Sequence, residues 1–249
     1  MKFEDIQDKL IGRMVKTKGN EEWLAECPHK KIADLSMVYA VAVVNEKKIQ
    51  LDTVSSKSVL TMQMTDKEFM EKADKAVNKN NSYQIRPLIS VIREMEGTGS
   101  YEYKEPSHFP LVEKGTESEP YLITNRRNFM GASVMGNPAV MEKTSGLLGG
   151  DFYIIPSSIH EVLAIKVDPI YTSTSLQDMV RDVNDTEVNV EDRLSDNVYV
   201  YDSMERTIET VDDYEMRNQI GMKHQYWDNN REANQDQNKE RRRDDDMDF

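Results

Sequence analysis

The stretch from Tyr121 to Lys166, YLITNRRNFMGASVMGNPAVMEKTSGLLGGDFYIIPSSIHEVLAIK, decides the fold, because it reads as strand, turn, strand, helix, strand, turn, strand. Tyr121–Asn125 and residues 132–135 are short apolar runs around a polar turn. Pro138 suits the first position of a helix, where its missing N–H costs nothing, and Gly149 with Gly150 stops that helix. Phe152–Ile155 breaks at Pro156-Ser157-Ser158 and resumes over residues 160–167, which predicts two paired strands.

Working outward, Phe3, Ile6, Leu10, Ile11 and Met14 recur at helical spacing and predict an amphipathic helix over residues 2–16. A short helical piece carries Trp23 and Leu24, and Pro28 is read as opening a further helix through Ile32, Leu35, Val38 and Tyr39. Residues 37–44 are valine-rich enough to be a strand, but length favours helix. Residues 58–64 read as a strand, and Thr65-Asp66-Lys67-Glu68 as a capping box starting a helix. Residues 85–95 hold a short apolar element around Pro87. Residues 96–120 read as a long surface loop with a strand at 101–103. Thr174-Ser175-Leu176-Gln177 is read as a second capping box, and residues 198–201 and 207–211 as a hairpin. From residue 228 the chain has almost no apolar residues, which predicts a disordered tail.

The expected organisation is therefore an N-terminal helical segment over 1–27, an α+β domain over 28–215 and a disordered charged tail over 216–249. The domain is expected to be a mixed, mainly antiparallel sheet with helices packed on one face.

Composition narrows the function. A net charge of −13 over 249 residues argues against a general nucleic-acid binder. The contiguous Arg241, Arg242 and Arg243 are followed at once by Asp244, Asp245 and Asp246, which cancel their field beyond about 8–10 Å. The single cysteine, Cys27, excludes an intramolecular disulfide and fits a reducing compartment. No run approaches the ~20 apolar residues of a membrane span, and the acidic N-terminus does not read as a signal peptide, so the expected location is the cytoplasm.

Pro28-His29-Lys30-Lys31-Ile32-Ala33-Asp34-Leu35, the block from Tyr121 through Ser157-Ser158-Ile159-His160-Glu161-Val162, and Leu194-Ser195-Asp196-Asn197-Val198-Tyr199-Val200-Tyr201-Asp202 together resemble a bacterial family, domain-of-unknown-function family 5688. The resemblance spans about residues 20–202. It implies a bacterial source, a mobile-element context and a member shortened at its N-terminus. It implies no activity.

One corner collects catalytic residue types. Ser157, Ser158, His160 and Glu161 supply a hydroxyl, an imidazole and a carboxylate, the set a nucleophile, base and orienter require. Along a strand neighbouring side chains diverge, so the structural reading has the serines closing a turn while His160 bonds to a neighbouring loop. Asn125 and Arg126, with Arg127, sit in the other turn of the block as candidate anion contacts. His29 and His108 have no ligand partners at metal spacing, and no HExxH, paired-cysteine or phosphate-loop motif occurs, so neither metal nor cofactor is expected. Met130, Met135 and Met141 are either gap-fillers of the core or the lining of an adaptable groove. The expected function is a non-enzymatic interaction or regulatory module with a protein partner; a small molecule is left open. The alternative is a small hydrolase or transferase using the Ser157/Ser158/His160/Glu161 corner.

Overall fold

The computed structural model describes residues 2–45, 48–80, 82–98, 109–156 and 158–218. Residues 1–211 form one compact unit; in the second unit, the described residues 212–218 are helical. The expected strand at 101–103, His108, Ser157 and the tail from residue 228 lie outside the described residues.

The chain opens with two 3-10 turns, Phe3–Asp5 and Gln7–Lys9, and then strand β1, Leu10–Lys16. This corrects the helix expected over residues 2–16 and the helical segment over 1–27. The physical reason is burial on both faces: Leu10 and Met14 enter the main core while Ile11 packs with Ala40, Ala42 and Met130 on the other side. A strand covered on both faces loses its period of two and mimics helical spacing. Helix α1, Glu21–Leu24, follows.

The helix expected after Pro28 is instead a hairpin of β2, His29–Ile32, and β3, Leu35–Asn45, closed by a turn in which Ala33 takes φ 52°. No glycine marks that turn. Strand β4, Lys48–Thr53, completes the sheet, in which β3 pairs with β1 along one edge and with β2 and then β4 along the other. Residues 58–64, expected as a strand, fall largely in helix α2, Ser56–Thr61, whose N-cap Ser55 accepts from the Ser58 N–H. The capping box at Thr65 is present, with Glu68 Oε2 2.8 Å from the Thr65 N–H, and it starts α3, Asp66–Asn80.

The remaining strands form a seven-stranded sheet. Strand β5, Tyr83–Pro87, runs into helix α4, Leu88–Thr98. The short β6, Leu111–Val112, is parallel to β5, the one parallel pair among the described strands. Strand β7, Tyr121–Asn125, lies where expected. Residues 132–135 do not form a strand: Gly131–Gly136 is a 3-10 turn whose residues from Gly131 to Met135 are all buried. Helix α5, Pro138–Leu148, has the predicted proline at its start and the left-handed Gly149 at its end, with Asn137 accepting from the Ala139 N–H. Strands β8, Phe152–Ile155, and β9, Glu161–Lys166, pair antiparallel. Helix α6, Ser173–Thr186, is capped by Thr172 rather than Thr174. The hairpin β10, Tyr199–Asp202, and β11, Thr207–Thr210, closes the sheet order β11-β10-β8-β9-β7-β5-β6.

The fold is α+β, with the strands divided between two mostly antiparallel sheets rather than gathered in one. One core joins them. Leu10, Leu35 and Tyr39 of the first sheet, Ile123, Phe152 and Tyr199 of the second, Phe69 of α3 and Met141 of α5 belong to the same buried cluster. Each such side chain contributes about 1.5–3 kcal/mol by leaving water. Two polar clamps fix the geometry. Asp34, in the turn between β2 and β3, accepts from the Tyr199 hydroxyl at 2.6 Å and from Asn197 Nδ2 at 2.8 Å, while the Tyr39 hydroxyl donates to Asp74 of α3 at 2.6 Å.

Candidate functional site

The corner singled out by sequence is assembled, but as a clamp. The Ser158 hydroxyl donates to Glu161 Oε1 at 2.8 Å and accepts from the His160 backbone N–H at 3.0 Å, a local turn closure. The His160 ring faces elsewhere. Its Nδ1 accepts from the Met130 backbone N–H at 3.2 Å, which leaves the proton of the neutral ring on Nε2, 3.3 Å from Asp192 Oδ1. The Phe129 ring packs beside it at 5.6 Å. Both ring nitrogens are thus committed, and neither reaches the Ser158 hydroxyl.

The main chain of the corner is pinned as firmly. The Thr124 hydroxyl donates to the His160 carbonyl at 2.7 Å, the Ala132 N–H to the Ile159 carbonyl at 3.1 Å, and the Ile159 N–H to the Asp192 carbonyl at 2.9 Å. Gly131 is required by this crowding, since a Cβ there would overlap Thr124 Oγ1 and the His160 carbonyl.

The side chains of Asn125 and Arg126 engage different partners. The buried Asn125 folds its own turn: Oδ1 accepts from the Arg127 and Phe129 N–H groups, and Nδ2 donates to the Phe129 carbonyl at 2.7 Å. The Arg126 guanidinium stacks 5.0 Å from the Phe109 ring centre. His29 Nδ1 lies 2.9 Å from the Cys27 carbonyl. Among the described residues no group of three His, Cys, Asp or Glu side chains could hold a metal ion.

Two cavities formed by described residues bear on the candidate residues. One, of about 390 Å³, has the Arg13–Lys16 stretch of β1 as its floor, Lys18, Asn20 and Trp23 on one wall, Glu191, Arg193 and Leu194 on the other, and Ile159 at the junction. Arg13 lines it, and the Arg13 Nε atom is buried with no hydrogen-bond partner among the described residues. A buried charged donor without an acceptor costs on the order of 1–3 kcal/mol or more. The His160–Asp192 hydrogen bond secures the 3-10 turn Val190–Asp192, on which Glu191 and Arg193 are carried, so the corner supports this wall. A second cavity, of about 500 Å³, is lined by Met135 and Met141 together with Ile32, Ile208, Lys31 and Arg206. Met130 is not part of it; that side chain packs in the core with Ile11.

Sequence reasoning missed Arg13, because a residue placed on the polar face of a helix needs no explanation. On a strand covered on both faces the same arginine is the anomaly. Asp192 and Asp34 carried no local signal at all, since their partners lie 32 and 165 residues away.

Tests against known proteins point one way. The model of a family described as "Family of unknown function (DUF5688)" matches residues 1–203, so the chain belongs to that family. No curated protein and no solved structure matches it.

Proposed function

We propose that this member of the family is a non-enzymatic binding module of the cytoplasm. The observation that carries the reading is the commitment of His160: with Nδ1 taken by the Met130 N–H and Nε2 beside Asp192, the ring has no lone pair to offer the Ser158 hydroxyl. A serine without an adjacent base is a poor nucleophile. The cytoplasmic assignment is supported by Cys27, a lone free thiol in a buried position, and is compatible with the described helices, none of which is long and apolar enough to cross a membrane. The partner is a protein, engaged at the cavity lined by Met135, Met141, Ile32 and Ile208. Methionine side chains adapt to irregular apolar partners, and Lys31 on the same lining favours an acidic segment, while Arg206 there pairs with Glu142 at 2.9 Å.

A serine-reactive fluorophosphonate applied to the native full chain tests the non-enzymatic reading. The expected result is no labelling above that of the heat-denatured protein. Labelling of Ser157 or Ser158 that disappears in His160→Ala would overturn it.

A further inference from the structure

We propose that the cavity over β1 is a binding site for a small molecule carrying phosphate groups. The inference rests on the reading of the chain as a binding module and supplies that module with a ligand class. Its first support is charge. In a chain with a net charge of −13, this cavity gathers Arg13, Lys16, Lys18 and Arg193 with Glu191 as the carboxylate of its lining, and Asp185 pairs with Arg193 at 3.0 Å. Such a concentration of cations against the sign of the whole molecule creates a local potential that draws anions.

The second support is the state of the donors. The Lys16 and Lys18 side chains are exposed and have no hydrogen-bond or ion-pair partner among the described residues, and Arg13 adds its positive charge to the lining, with its buried Nε lacking an acceptor among them. Arg193 donates from Nε to the Val188 carbonyl and from Nη1 to Asp185, which fixes the guanidinium in place while Nη2 keeps no partner among the described residues. The N–H groups of that Nη2, held in one orientation, remain to donate to an oxyanion. Four cations against the carboxylates of Glu191 and Asp185 leave a surplus of two positive charges, which calls for a ligand bearing more than one negative charge. A phosphate ester brings about −1.5 to −2 charges and three acceptor oxygens, where a carboxylate brings one charge and two oxygens. The volume of about 390 Å³ suits a small molecule and is too confined for a nucleic-acid duplex.

Isothermal titration of the full chain with inorganic pyrophosphate tests the site. The expected result is saturable binding with one ligand per chain, weakened at least about tenfold by Arg13→Gln, since a hydrogen bond to a charged group of this kind is worth a factor of that order. Lys18→Gln, at an exposed side chain, should weaken binding several-fold without touching the core and keeps the test decisive if Arg13→Gln fails to fold. Absence of saturable binding, or binding unchanged by Lys18→Gln and by any folded Arg13 variant, overturns the site. Citrate binding as tightly as pyrophosphate overturns the phosphate assignment. Release of orthophosphate during the titration would support the site and overturn the non-enzymatic reading on which it rests.

Discussion

At the scale of single residues, the chain uses its catalytic-looking side chains as fasteners. His160 holds the Met130 turn and the Asp192 turn together, and Gly131 lets the strand carrying Thr124 approach closely enough for that to happen. Gly131→Ala should therefore lower stability by more than the roughly 0.5–1 kcal/mol typical of backbone effects at glycine, read as a fall in the urea midpoint; an unchanged midpoint would mean the corner is loose. Tyr199 gives a second residue-scale prediction. Burial, reinforced by the Asp34 carboxylate, pushes its phenol far above the ordinary range. Tyr199→Phe should cost about 0.5–1.5 kcal/mol at pH 7, the net worth of the hydrogen bond to Asp34, since Asp34 is exposed and water can replace the lost donor. A raised folded-state value means the stabilisation is complete below the unfolded value of about 10 and is lost as pH rises past it, so the gap between wild type and variant should narrow in alkali. A gap that widens above pH about 10 would contradict the assignment. Burial likewise raises the Cys27 thiol, with Glu26 and Asp66 adding to the effect, so alkylation of the native protein should be slow and accelerate on unfolding.

At the scale of elements, what was legible depended on whether the signal was local. Helix α5 was readable because Pro138 and Gly149 punctuate it, and α3 because Thr65 and Glu68 satisfy each other's free N–H groups. Strands β7, β8 and β9 were readable as apolar runs between turns. Strand β1 was not, since burial on both faces erased its alternation, and the β2–β3 hairpin was hidden because alanine rather than glycine occupies the left-handed position. The residues of the corner were legible and their partners were not: Ser158, His160 and Glu161 are neighbours in sequence, whereas Asp192 and Met130 arrive through tertiary folding. The cap of α6 shows how far local reading errs. Thr172 Oγ1 accepts from the Ser175 N–H at 3.1 Å, two residues before the threonine expected. Thr172→Ala should cost about 1 kcal/mol, while Thr174→Ala should stay within about 0.5 kcal/mol of wild type. The reverse order in denaturant melts would return the cap to Thr174.

At the scale of the whole molecule, both sheets and helices α3 and α5 share one core, and the buried apolar side chains of the described residues all lie within residues 3–211. Removing residues 228–249, where the sequence has almost no apolar side chains to pack, should leave the melting temperature within a few degrees, given that 1 kcal/mol corresponds to roughly 2–4 °C at this size. The corner is where the strand β7, the turn after it, the start of β9 and the Val190–Asp192 turn meet, and Thr124, Ser158, His160 and Asp192 hydrogen-bond those segments together. The direct test is nitrogen-resolved NMR of the His160 ring in the neutral protein at pH 8. The account predicts a single tautomer protonated at Nε2, with Nδ1 showing the shift of an unprotonated nitrogen accepting the Met130 amide. A ring protonated at Nδ1, or one exchanging between the two tautomers, would contradict the clamp and free the imidazole to act as a base.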